Sequence, residues 1–395
     1  MATILHIIPT YKPAYVYGGP VFSTSLICEN LAREGHEVLM LTTRANGKTD
    51  LDVPANELQI VDGVPTIYFH RWTKDHSHFS PRLLWYVFKN CKKYDAVHIH
   101  SWWNLPVMFS VLICWLRGVR PVLSPRGMLS DFTFSENHSS AKAIFHKTAG
   151  LFLLKKTRLH LTSVSEQKEC AHIGTESFVL PNYIELSPII DFDKKGGREP
   201  VLRLLFLSRV HPKKNLEALL EALTKINFDF SLKIAGPGEN DYIAGLKRLA
   251  RKLGLESRIE WLGVLAGEEK FSAYAAADLF VLPSHNENFA NVVIESLSAG
   301  TPVLVSEEVG LSEYVREKGL GWVCGKEAEN IAAALDKIFQ QKTKLRDMAR
   351  QAVQTIQTDF SPKKLTEKYI ARYLSREAAP QSVVDNIPPV NSDLF

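Results

Sequence analysis

The strongest constraint on this chain is a rhythm: short apolar, β-branched runs alternate with stretches of helical spacing, and the pattern occurs twice. Residues 3–11 (TILHIIPTY) read as a buried strand, followed by a Gly18-Gly19-Pro20 turn. Val21 to Glu34 then spaces Leu26, Ile27 and Leu31 for a helix that stops at Gly35. Further strands are predicted at His36–Thr42, Thr66–Phe69, Ala96–His100, Pro121–Leu123 and Leu159–Ser163, with helices between them. Such alternation predicts βαβ units and a parallel sheet.

After Leu180-Pro181-Asn182 the rhythm restarts. Strands are predicted at Arg203–Ser208, Ser231–Ala235, Ile259–Leu262, Leu279–Leu282, Pro302–Val305 and Gly321–Val323, with helices at Asn215–Ile226 and Asp241–Leu253. The expected fold class is α/β: two doubly wound, Rossmann-like domains facing each other across a cleft. The first spans 1–190, a polar linker 191–200 and the second 201–361. A last helix within 362–376 carries Leu365, Tyr369, Ile370 and Tyr373 on one face and is expected to pack back on the first domain. Residues 377–395 read as a flexible tail. Sheets of this kind hold ligands beyond the carboxyl ends of their strands, so a ligand is expected between the halves.

The 395 residues suit two to three domains at about 150 each. The longest apolar run, Leu105 to Leu116, is twelve residues, short of the roughly twenty a spanning helix needs. MATILHIIPTYKP has no basic segment and no small-residue cleavage site, and Cys28, Cys91, Cys114, Cys170 and Cys324 form no CxxC pair. A cytosolic protein without a zinc ribbon or thioredoxin-type motif is the expectation. The net charge of +4 is too small for a nucleic-acid footprint, although residues 1–190 lean basic, 19 Lys/Arg against 15 Asp/Glu.

Two segments carry the chemistry. In LLFLSRVHPKKNLE (204–217) a strand delivers Arg209 at its carboxyl end, and Lys214 precedes a helix with Asn215 as its expected N-cap. Two cations at such a point suit a diphosphate. In VLPSHNENFANVVIESLSAGTPV (281–303) Glu287 lies in a loop, a helix starts near Ala290, and Glu295 sits inside that helix. A helix start offers free amides to phosphate, and carboxylates accept hydrogen bonds from sugar hydroxyls.

Arg209 and Lys214 followed by Glu287-x7-Glu295 resemble glycosyltransferase family 4, retaining enzymes of GT-B fold that use nucleotide-diphosphate sugars. The likeness covers roughly residues 4–375. It implies that Arg209 and Lys214 hold the donor diphosphate, that Glu287 contacts the hexose, and that Glu295 contacts the ribose. It also assigns the amides of Phe289, Ala290, Asn291 and Val292 to sugar and phosphates, and Gly236 with Arg258 and Ile259 to the nucleoside pocket. Ala290 departs from the family, which often has Gly there. Gly18 and Gly19 match the family's glycine-rich loop over the phosphates. In Pro125-Arg126-Gly127-Met128, Arg126 stands near the place of a family histidine, which makes it a candidate for donor or acceptor contact. The other candidate is His100 of DAVHIHSWW, with Trp102 and Trp103 behind it as either a sugar-stacking pair or packed core.

His98 and His100 share one side of their strand, but the sequence offers no evident third ligand, so no metal is expected. Asp50-x-Asp52 and Asp191-x-Asp193 read as solvated acids. GPGEND (236–241) lacks the third glycine of a dinucleotide fingerprint. Residues 141–158 are basic and apolar enough to rest on an anionic membrane surface, or to pack as an ordinary helix. The resemblance thus implies a metal-independent hexosyltransferase, without a cofactor, that takes glucose from UDP-glucose. The implied acceptor is a glycan or polyprenyl-linked saccharide of exopolysaccharide synthesis. GDP-mannose as donor, a nucleotide-sugar epimerase of the same fold and a non-catalytic nucleotide-sugar-binding module stay open.

Overall fold

A computed structural model describes residues 1–129, 146–188 and 201–375. The linker 191–200, the acids Asp191 and Asp193 and the tail 377–395 lie outside the described residues. The first sheet is built from β1 (Thr3–Ile7), β2 (Glu37–Thr43), β5 (Leu58–Val61), β6 (Val64–Phe69), β7 (Ala96–His100), β8 (Val122–Ser124), β9 (Arg158–Leu161) and β10 (Ser177–Val179). A separate hairpin pairs β3 (Ala45–Asn46) with β4 (Thr49–Asp50). The order in the first sheet is β10-β9-β8-β7-β1-β2-β6-β5, parallel except for β5 against β6. The second sheet orders β11 (Leu202–Leu207), β12 (Phe230–Ala235), β13 (Ile259–Gly263), β14 (Leu279–Leu282), β15 (Val303–Ser306) and β16 (Gly321–Cys324) as β13-β12-β11-β14-β15-β16, all parallel.

Both sheets start in the middle and wind outward in two directions. The switch points, where ligands of such folds lie, fall between β1 and β7 and between β11 and β14. Within the first sheet, Leu5, Ile7, Val97 and Ile99 pack under the helices Pro81–Asn90 and Leu105–Leu116. The alternate residues Ile4 and Ile8 pack on Ile27 and Leu31 of the helix Gly19–Arg33. Leu365, Tyr369 and Tyr373 of the helix Pro362–Leu374 belong to that same cluster, so the chain returns to the first sheet after leaving the second. Each such aliphatic side chain contributes about 1.5–3 kcal/mol when fully buried.

The period of two along a strand also decides where the histidines go. His6, His98 and His100 share the face of Ile4 and Ile8, and all three are fully buried. The Tyr373 hydroxyl bonds His98 Nδ1 at 2.7 Å, while His98 Nε2 meets Ser124 Oγ at 2.6 Å. Ser124 Oγ also reaches His160 Nδ1 at 2.6 Å, and Tyr369 donates to the Pro181 carbonyl at 3.0 Å. The returning helix is therefore fastened by a buried polar network as well as by apolar contact.

Several local readings differ from the sequence expectation. The hairpin β5–β6 was not expected, although its Asp62-Gly63 turn, with φ of 47° and 81°, is a standard hairpin signal. Asn215 does not cap its helix. It sits at φ 58° and its amide donates to the carbonyls of Pro283 and Lys326, strapping two loops together. Asp50 is exposed, as expected of a solvated acid, but it also pairs with the buried Arg71 at 2.6 Å. Ala290 takes φ 69°, ψ 72° before the helix Asn291–Ser298, a left-handed conformation that suits glycine better.

Two outcomes follow for stability. Burial holds His6 and His160 down at about 3, and His98 and His100 well below the ordinary histidine value. In the unfolded chain these groups take up protons near pH 6.5. Their contribution is complete above that pH and is lost as pH falls from about 6.5 toward 3, at up to about 1.4 kcal/mol per pH unit for each. Urea midpoints should therefore stay nearly level from pH 7.5 to about 6.5 and fall progressively from there toward pH 5, with an unchanged denaturant slope; a midpoint unchanged down to pH 5 would contradict the buried neutral histidines. Ala290→Gly should stabilise the chain by up to about 1 kcal/mol, and Ala290→Val should destabilise it, in thermal unfolding.

Candidate active site

At the second switch point, β11 ends at Leu207 and its loop carries Arg209, exposed and without a hydrogen bond or ion pair among the described residues. The next turn, Pro212–Lys214, brings Lys214 into a buried position where its Nζ donates to Glu287 Oε1. Glu287 comes from the loop after β14, the strand beside β11, so the ion pair bridges the switch point. The side chains of Lys214 and Glu287 are only 10% and 15% exposed. Gly236, at φ 136°, ends β12 against this loop; a Cβ there would lie 1.8 Å from the Ser208 carbonyl oxygen. Glycine at this position is what lets the β11 loop lie across the strand ends.

Beyond Glu287 the chain turns at Ala290 into the helix Asn291–Ser298, whose N-terminus no side chain caps. Phe289 itself is buried toward Phe360, leaving only its main chain for a ligand. An uncapped start leaves amides of Asn291 and Val292 without intrahelical partners. Glu295, one turn on, is half-buried and accepts from Lys270 Nζ and the Tyr274 hydroxyl, each at 3.2 Å. Burial pushes its carboxyl up, and Lys270 opposes that rise.

Across the cleft the helix Gly19–Arg33 also begins uncapped, at Gly18 with φ 67° and ψ −136°. Gly18 needs glycine for that angle, and neither Gly18 nor Gly19 has an atom within 4 Å of where a Cβ would stand. Arg126 lies between the two helix starts. Its Nη1 donates to Ser23 Oγ at 2.6 Å and to Asn182 Oδ1 at 3.1 Å. Asn182 in turn donates to Asn291 Oδ1 at 3.1 Å, so the guanidinium is linked by one side chain to the helix Asn291–Ser298. Arg126 has no carboxylate partner among the described residues, and its buried Nε is unpaired.

The Nη2 of Arg126 lies 3.2 Å from His100 Nδ1. A guanidinium only donates, so His100 Nδ1 is the acceptor and its proton sits on Nε2. That nitrogen is 2.9 Å from His6 Nδ1, which fixes the His6 proton on Nε2, an atom with no partner among the described residues. His6 is thus the third histidine that the sequence did not reveal, and the three rings bring ligand atoms within 4.8 Å of one another. The hydrogen bonds already use the lone pairs of His98 and His100, and a guanidinium abuts the set. His100 is corrected accordingly: it is fully buried behind Arg126 and does not face the cleft. Trp102 is likewise core, not a sugar platform.

The assignment of Arg258 and Ile259 fails on topology. β13 begins at Ile259 and runs parallel to β12, which puts both residues at the amino ends of the strands. Arg258 lies over Phe230 at 5.1 Å, at the start of β12. The end of β13 that shares a level with Gly236 is Gly263, whose carbonyl accepts from the Gly236 amide at 2.7 Å.

Two positioning groups were missed by sequence reasoning. Asn288, beside Glu287, donates to Thr162 Oγ1 at 2.7 Å and accepts from Ser163 Oγ at 2.8 Å across the cleft. Glu166, buried beneath, accepts from the amides of Thr162 at 2.7 Å and Gly127 at 2.8 Å. Together they clasp the Glu287 loop to the first domain. Lys270 also went unnoticed, since a lysine in GEEK carries no motif. Of the basic stretch 141–158, residues 141–145 lie outside the described residues.

With this geometry in view, the known proteins it resembles are consistent. The family model described as glycosyl transferases group 1 matches residues 189–355, and that described as a glycosyl transferase 4-like domain matches residues 18–182. An uncharacterized glycosyltransferase of Methanocaldococcus jannaschii is 26% identical over 350 residues, 83% of this chain and 86% of that protein. The alpha-monoglucosyldiacylglycerol synthase of Streptococcus pneumoniae is 24% identical, over 84% of this chain and 77% of its own. Among solved structures, Anabaena HepE in complex with UDP and glucose superposes with a TM-score of 0.70 at 19% identity, covering 94% of this chain and 99% of that one. Matched across both halves, the chain belongs to the group 1, family 4-like glycosyltransferases and is a transferase of GT-B fold.

Proposed function

We propose that the protein moves glucose from UDP-glucose to a glycan or polyprenyl-linked saccharide with retention of anomeric configuration, without a metal or cofactor, on the cytosolic side of cell-envelope polysaccharide assembly. The observation that carries this reading is the convergence of two uncapped helix starts with Arg209, Lys214 and Arg126 around one cleft. UDP with glucose bound to the Anabaena protein, and glucose in the name of the streptococcal synthase, support the donor. Among the described residues no helix is long and apolar enough to cross a membrane.

In this reading Arg209, Lys214 and the amides of Asn291 and Val292 hold the diphosphate, with positive charge aimed where negative charge grows as the leaving group departs. The bond from the anomeric carbon to the phosphate oxygen breaks with its electron pair going to phosphate. The acceptor hydroxyl forms the new bond from the same face, and its proton passes to the departing phosphate oxygen, so no side chain need act as base. Glu287 orients the hexose and Glu295 the ribose, with Gly236 and Gly263 flanking the nucleoside. Arg126, uncompensated by a carboxylate, contacts donor or acceptor from the opposite wall.

Because Lys214 and Glu287 are paired and buried, Lys214→Ala also strands a carboxylate and should cost about 3–5 kcal/mol of stability. Arg209 is the cleaner probe. Arg209→Ala should leave the unfolding midpoint within about 0.5 kcal/mol of wild type while raising the barrier by about 2.7–4 kcal/mol, read as kcat. Full turnover in that variant would remove Arg209 from the site. A panel of nucleotide sugars without acceptor tests the function itself: slow release of glucose from UDP-glucose is expected. Conversion to a different nucleotide sugar would indicate an epimerase, and release from GDP-mannose alone would overturn the donor.

A further inference from the structure

The helices Pro81–Asn90 and Leu105–Leu116 lie side by side on the first sheet, with Leu83, Val87, Val107 and Val111 buried beneath them. A solvated helix surface would be polar outside. Here the outer side carries Trp85, 57% exposed, Leu116, 64% exposed, and the exposed rings of Phe88, Phe109 and Trp115, joined by Phe152. The rings meet in two pairs: Trp85 stacks on Phe88 at 5.7 Å, and Trp115 meets Phe152 edge-on at 5.1 Å. Cations cover them. Lys89 lies over Trp85 at 4.8 Å, Arg117 over Phe88 at 4.9 Å and Lys156 over Phe152 at 5.0 Å. Arg82, Lys92, Lys93 and Lys155 stand exposed on the same elements.

Between residues 76 and 129 the single acidic residue is Asp95, and its carboxylate is engaged by the amide and hydroxyl of Thr3. Among the described residues of these elements the face is therefore aromatic and basic, with no free acidic side chain. A second copy of the same face would oppose like charges, which argues against self-association. Aromatic rings with lysine and arginine reaching past them are what an interface between apolar chains and anionic headgroups accommodates.

We propose that this face docks the protein on an anionic lipid surface, Trp85, Trp115 and Phe152 entering at headgroup depth and Lys92, Lys93 and Lys156 meeting lipid phosphates. It extends well beyond residues 141–158, of which it uses only the far end. Trp115, Lys92, Lys93 and Lys156 lie where their helices end, just before β8, β7 and β9, so these contacts gather toward the amino edge of the sheet, away from the cleft. The docking therefore does not depend on the lipid-linked acceptor proposed above.

The test floats the full-length protein with vesicles of phosphatidylglycerol and phosphatidylcholine, and with phosphatidylcholine alone. The expected result is binding to the mixed vesicles that salt weakens, with a blue shift of tryptophan emission. Lys92→Ser and Lys93→Ser should each weaken binding roughly fivefold. Trp85→Ser with Trp115→Ser should abolish the shift, and release of glucose from the soluble donor should not change. Failure to bind mixed vesicles, binding indifferent to all four substitutions, or a dimer that Trp85→Ser dissolves would overturn the proposal. Vesicle binding by a protein that turns over no nucleotide sugar would support the surface while refuting the proposed function.

Discussion

The ion pair between Lys214 and Glu287 joins the loops of two neighbouring strands at the point where the second sheet reverses its winding. Everything on the donor side is arranged around it. Gly236 lets the β11 loop lie close, Asn215 ties that loop to Pro283 and Lys326, and Asn288 clasps the Glu287 loop to the opposite domain. A buried lysine has three N–H donors and one carboxylate here, so it keeps donors that the ion pair does not use. Arg209, exposed and unpaired beside it, supplies the charge that the pair itself cancels.

The opposite wall solves the reverse electrostatic problem. A buried guanidinium without a carboxylate is costly unless its donors are used. Ser23, Asn182 and His100 use three of them, and His100 can do so only while neutral. Burial and the neighbouring cation keep the histidine cluster uncharged around Arg126. The same cluster holds Tyr373 of the returning helix. One network thus both positions a cleft cation and fastens the chain's last helix to its first domain.

Much of this was legible in the sequence, because strand and helix periodicity are local properties. The ends of Leu279–Leu282 coincide with the expectation, and the motif residues Arg209, Lys214 and Glu287 come to one edge. What escaped depends on pairing between distant segments. His6 becomes a partner of His98 and His100 only because β1 lies beside β7, and Asp50 gains an ion-pair partner only because Arg71 is brought to it. The misplacement of Arg258 and Ile259 has the same origin: sequence proximity to a strand does not say which end faces the cleft. Asn288 and Lys270 have no motif, since their roles arise from contacts made after folding.

The central claim is that this ion-paired switch point is where a nucleotide diphosphate binds. A crystal structure of the protein soaked with UDP tests it most directly. The diphosphate should lie between the Arg209 and Lys214 side chains and the start of the Asn291 helix, with Arg126 facing it across the cleft. Nucleotide seated elsewhere, with Lys214 and Glu287 undisturbed and Arg209 still in solvent, would contradict the account.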